Sequence, residues 1–195
     1  MSEARSIEVL DAPSVFHCTG VVVWLQLISG RVDSAPKDAE RSGHLSQNLA
    51  MDPFLAAAID EAKRGRNEGG IPIGAVLVHR GQILGRGHNR RVQQGSAVLH
   101  GEMDALERAG RHPASVYRAS VIYTTLSPCA MCSGAILLYG IPHVIVGENR
   151  TFIGEESWLR SRGVRVDVVQ NEDCVQLMTL FIAEHPELWN EDIGR

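Results

Sequence analysis

The chain has 195 residues, 44% of them hydrophobic, enough for one domain with a real core plus an appendage. Its formal net charge of −4 argues against the basic face that broad nucleic-acid binding needs. The longest apolar run, Val21–Ile28 interrupted by Gln26, is far short of the ~20 residues of a membrane span, and acidic Glu3, Glu8 and Asp11 precede it where a signal peptide would be positive.

Residues 1–50 sustain neither helical nor alternating periodicity. Two readings stay open for them. They form a genuine extension that packs Val21–Ile28 on the domain, or they lie upstream of a natural start at Met51 and are foreign to the native protein or poorly ordered. The domain proper is expected over 51–195. It opens on a helix with Asp52 as N-cap, Pro53 in first position and Phe54, Leu55, Ala58, Ile59 and Ala62 as its apolar face. Gly69-Gly70 breaks the period. Ile73–Val78 then reads as a buried strand, Arg80-Gly81 as a turn and Gln82–Gly85 as the hairpin partner. A polar loop follows and ends at His100, where a helix runs to Gly110. Val121–Thr125 is a strand that delivers Ser127 to a helix over Ala130–Tyr139. His143–Val146 is the fourth strand, with Gly147–Asn149 as a loop. A short helix around Glu155–Ser161, a fifth strand over Val164–Val169 and a helix from Glu172 to Glu184 complete the series. An acidic, aromatic tail runs from Glu187 to Arg195. Strands alternating with helices after one hairpin imply an α/β fold, a mixed five-stranded sheet with helices on both faces in three layers.

Two short stretches carry chemistry. His100-Gly101-Glu102 and Pro128-Cys129-Ala130-Met131-Cys132 together match the H-x-E … P-C-x-x-C pattern of zinc-dependent base deaminases. One imidazole and two thiolates are three ligands of a tetrahedral zinc whose open fourth position holds an acidified water. Cys129 and Cys132, three residues apart, project from one helix face, with Pro128 suited to the first helical position. Glu102 sits in the first turn of its helix, poorly angled for a ligand and well placed to reach that water. Gly101 has no side chain to obstruct substrate, and its N–H stays free. A closed structural zinc site would need a fourth protein ligand, for which Cys174 and His88 are the candidates. Outside the metal motif, Cys18 reads as a spare thiol and Cys174 as a small buried apolar residue. Thiols used for metal rather than cross-links suggest a reducing compartment, the cytoplasm.

At these residues the chain resembles the cytidine-deaminase-like superfamily, and within it the yeast-type cytosine deaminases. Further matches are Glu68–Gly74, Gly85-Arg86-Gly87-His88-Asn89, Gly95-Ser96-Ala97, Tyr123–Ser127, Tyr139–Pro142, Gly147-Glu148-Asn149, and the tail with Trp189 and Glu191–Gly194. The resemblance implies one zinc on His100, Cys129 and Cys132, with Glu102 as proton shuttle. It implies that Asn89 and the Gly101 N–H hold the ring carbonyl and N1 edge, and that Asp192 and the Ser127 carbonyl accept from the exocyclic amine. Ile73, Leu126, Phe152 and Trp189 would be the apolar walls, Phe152 and the tail closing over the base. It further implies hydrolysis of cytosine to uracil in pyrimidine salvage, and a homodimer without nucleic-acid or membrane partners. The motifs alone also admit another base such as guanine or an aminopurine, adenosine in tRNA, or a silent zinc-binding relative.

Overall fold

The computed structural model describes residues 52–195. The extension, its Val21–Ile28 run, Cys18 and Met51 lie outside the described residues. Helix α1 (Pro53–Asn67) starts where Asp52 accepts a hydrogen bond from the Phe54 N–H, so a side chain satisfies a donor that the helix start leaves open. It is followed by β1 (Gly74–His79), β2 (Gln82–His88), a one-turn α2 (Arg91–Gln94), α3 (Gly101–Ala109) and a one-turn α4 (Ala114–Tyr117). Then come β3 (Ser120–Leu126), α5 (Ala130–Tyr139), β4 (His143–Glu148), α6 (Glu156–Ser161), β5 (Arg165–Val168), α7 (Glu172–Glu184) and α8 (Pro186–Asp192).

The sheet order is β2-β1-β3-β4-β5, antiparallel across β2-β1-β3 and parallel across β3-β4-β5. The mixed sheet expected from the alternation is therefore present. Period-two alternation splits its side chains between two cores. Leu77, Ile122, Val144, Val146 and Val166 face Leu106 of α3, Ile136 of α5 and Leu159 of α6. Val76, Val78, Tyr123 and Ile145 face α1 and Cys174 of α7. These are the three layers.

Several boundaries differ from the sequence reading. Strand β2 runs on to His88, and β4 includes Gly147 and Glu148, which had read as loop. Glu148 is fully buried because its carboxylate accepts from the Arg150 and Thr151 N–H groups and the Thr151 hydroxyl, closing the turn that leads to Phe152. The tail is helical: Pro186 terminates α7 and is the first residue of α8, a position where its missing N–H costs nothing. Pro128 is not the first helical residue. It precedes Cys129, the N-cap of α5.

Candidate metal centre and cavity

Both motifs lie at helix starts. His100 is the N-cap of α3 and Cys129 the N-cap of α5, each with extended backbone, so both side chains project from the ends of their helices toward one another. Helix α3 is set by β2: a Cβ on Gly87 would stand 2.3 Å from the Ala105 nitrogen, and one on Gly85 would stand 2.1 Å from the Ala105 oxygen. Only glycine permits so close an approach of helix to strand. Gly101 is tight in the same way, 3.0 Å from the Ile73 oxygen to an added Cβ.

The Cys129 Sγ is 3.4 Å from His100 Nδ1, and the ligand atoms of His100, Cys129 and Cys132 all lie within 4.8 Å of one another. This donor set fits zinc. In the protein without metal the thiols divide one proton: a hydrogen bond from Cys132, opposed by burial and aided by His100, brings Cys129 down to about 4. The same hydrogen bond, then burial, pushes Cys132 well up. Burial lowers the affinity of His100 for its proton, but the Cys129 thiolate and Asp192 outweigh it and the net shift is upward. Zinc takes the place of those protons. No fourth protein ligand joins the set among the described residues. His88 spends both ring nitrogens on Glu61 (3.1 Å) and Glu68 (3.0 Å), and Cys174 is in the apolar core beyond the sheet. A three-ligand site with an open position is the catalytic pattern, and the closed structural alternative is set aside.

Glu102 is buried beside the ligands. Its Oε2 accepts from Cys132 Sγ at 3.3 Å and its Oε1 from the Thr124 hydroxyl at 2.9 Å. Burial, then the charge of Cys129, raises its carboxyl above the ordinary carboxylate range. The adjoining cavity is lined by Ile73, His100, Glu102, Leu126, Ser127, Cys129, Phe152, Trp189, Asp192 and Ile193. Phe152 meets Trp189 edge-on at 5.8 Å between ring centroids. Its volume is about 20 Å³, room for one water.

Asn89 and Gly101 do not line this cavity. Asn89 is fully buried, donating from Nδ2 to Asp192 Oδ1 at 2.9 Å and accepting on Oδ1 from the Arg91 N–H at 3.1 Å. Four residues with structural roles here were missed from sequence. Thr124 fixes Glu102, Arg91 pairs with Asp192, and Ile193 adds to the wall. Glu156 accepts from the Ser127 hydroxyl at 2.9 Å and so fixes the turn that carries Ser127. Thr124 is readable from its strand, two residues before the end facing the site. The other three have no spacing that marks them.

A family profile described as the cytidine and deoxycytidylate deaminase zinc-binding region matches residues 50–148. Cytosine deaminase of Candida albicans is 53% identical over 141 residues, 72% of this chain and 94% of the relative. A tRNA-specific adenosine deaminase of Streptococcus pyogenes is 37% identical over 145 residues, 69% of this chain and 91% of the relative. The solved structure of a guanine deaminase from Nitrosomonas europaea superposes with a TM-score of 0.56 at 18% identity, covering 81% of this chain and 99% of that one, which speaks to fold alone. The described residues contain no helix long and apolar enough to cross a membrane. Motif, metal centre and kinship agree: the chain belongs to the cytidine and deoxycytidylate deaminase family of zinc-dependent hydrolases, with a yeast-type cytosine deaminase among its near relatives.

Proposed function

We propose that the protein hydrolyses the free base cytosine to uracil and ammonia. One observation carries the substrate: α8 brings Trp189 and Asp192 into the same small cavity wall as Glu102 and the metal ligands. That supports a flat base with nothing attached where a ribose would have to leave. The 53% identity to the Candida albicans enzyme supports the same reading.

His100, Cys129 and Cys132 would hold the zinc, which when bound supplies a Lewis acid that makes water nucleophilic at neutral pH. Glu102 takes a proton as the water oxygen adds to ring C4, and gives it to N3. A second transfer through Glu102 delivers the proton that lets ammonia leave, so atoms and charge balance. Thr124 and the buried setting keep this carboxylate in one place throughout. Asp192 accepts from the exocyclic amine together with the Ser127 carbonyl, while Ile73, Leu126, Phe152 and Trp189 press on the ring faces and exclude water. Asn89 and the Gly101 N–H, outside the cavity wall, are assigned to the carbonyl edge through the family resemblance, Asn89 acting in part through Asp192. Since the cavity has room for only about one water, Phe152 and α8 must yield to admit a base.

The working form is a homodimer acting in cytoplasmic pyrimidine salvage without nucleic-acid or membrane partners. Helix α5 supports the dimer: AMCSGAILLY is apolar almost all round, yet only Cys132, Ser133 and Ile136 are buried, and Leu138 is 80% exposed. A helix of that kind ordinarily has cover on every side. Ammonia release from a panel of free bases and nucleosides tests the substrate. Cytosine is expected to turn over and cytidine not to. Equal rates on the two would sink the closed-cavity reading, and a faster rate on guanine would move the protein to a purine substrate with the same chemistry.

A further inference from the structure

We propose that Arg91 is a positioning residue, a latch that holds α8 over the cavity and turns one oxygen of Asp192 toward the bound base without touching that base. The Arg91 side chain is only 16% exposed, and its guanidinium joins three segments. NH1 is 3.0 Å from Asp192 Oδ1 and 3.4 Å from the Glu191 carbonyl, while NH2 is 3.0 Å from Glu191 Oε1. Nε donates to the Ser96 carbonyl at 3.3 Å, in the loop that leads to His100. Through its backbone N–H, Arg91 also fixes Asn89.

Two features make this contact more than surface decoration. The inner flank of α8 is sealed by apolar packing, Trp189 against Ile73, Leu126 and Phe152. The outer flank is more open: beyond the Ile71–Leu188 edge of that packing, a groove of about 380 Å³ is lined by Ile71, Val92, Ser96, Leu188 and Glu191, and Arg91 spans it. A seven-residue helix has little stability of its own, so its position depends on such ties. The second feature is the division of labour on Asp192. Asn89 and Arg91 both donate to Oδ1, which also faces His100 Nε2 at 3.6 Å, whereas among the described residues no donor lies on Oδ2. One oxygen is thus saturated and the other is left as an acceptor. An edge that donates, such as an amine, fits it; a carbonyl edge does not.

The selection of amine over carbonyl rests on the cytosine reading, whereas the latch rests on geometry alone. The test therefore has two readouts. With Trp24 and Trp158 replaced by Phe, fluorescence comes from Trp189, and acrylamide quenching measures whether α8 is docked, with no substrate present. Arg91→Met is expected to retain one zinc per chain, to raise quenching several-fold and to lower kcat/KM on cytosine about 10- to 100-fold, mostly through KM. Tens of millimolar guanidinium should restore part of that loss, and Arg91→Lys should fall between, since an ammonium cannot reproduce the fork. Trp189 remaining as protected in Arg91→Met as in the parent overturns the latch. Should the parent fail to act on cytosine, the substrate reading falls and quenching still decides the latch. Should Arg91→Met fail to fold, Glu191→Ala takes its place: it removes one acceptor of the guanidinium at an exposed carboxylate and should raise quenching by a smaller amount, no rise overturning the proposal.

Discussion

Glu102 is held by a threonine hydroxyl and a thiol in a buried pocket, so its replacement by an isosteric amide changes proton capacity and little else. Glu102→Gln should keep one zinc per chain by elemental analysis and lose turnover by ~10²–10⁴-fold or more, as expected for a general acid–base that serves several steps. The cysteines divide as sharply. After chelation of the metal, Cys129 is half-buried with a thiol near 4, whereas burial pushes Cys174 up to about 12. Maleimide at neutral pH should therefore modify Cys129 rapidly and leave Cys174 intact until the chain unfolds, as peptide mapping would read. At this scale the ligands and Glu102 were legible because their chemistry needs fixed types at fixed spacing. Arg91 and Glu156 were not, because each reaches its partner through the fold: Arg91 to residues 100 and 101 positions away, Glu156 to one 29 away.

Helix α3 stands where it does because β2 presents bare backbone to it. Gly87→Ala should drive the helix off the strand, destabilise the domain by about 1–3 kcal/mol or more, and release zinc with His100, all visible as a lower melting temperature and lower metal content. At the outer edge, β5 is tied to β4 by Asp167, which meets His143 at 2.9 Å and Arg165 at 2.7 Å. Burial works against ionisation of Asp167, but these two partners win and hold its carboxyl below the usual value. A depressed carboxylate stabilises the fold above its unfolded pKa, and that contribution is lost as pH falls through the folded one. Asp167→Asn should thus melt earlier than the parent at neutral pH, by a small margin at a half-buried edge site, and the gap should close below about pH 4. The main strands and long helices were legible from apolar runs and caps. Helices α2 and α4, at four residues each, are shorter than any period can register, and α8 was hidden because Pro186 reads equally as a stop and a start.

For the molecule as a whole, the exposed face of α5 sets the expectation for assembly. Sedimentation should give a dimer, and Leu138→Glu, at a residue that packs on little among the described residues, should give a folded monomer. The three-layer order was legible from the alternation of elements, whereas the all-apolar pattern of α5 does not mark which side faces outward, and among the described residues Leu138 lies bare. The N-caps of α3 and α5 come together 3.4 Å apart although 29 residues separate them along the chain. That meeting point makes the metal a cross-link as well as a reagent. An ion held there pins a closed loop that includes β3, removing freedom the unfolded chain would otherwise recover. Folding and metal loading then share one equilibrium, and the free zinc concentration around the protein becomes a variable of its stability just as temperature is.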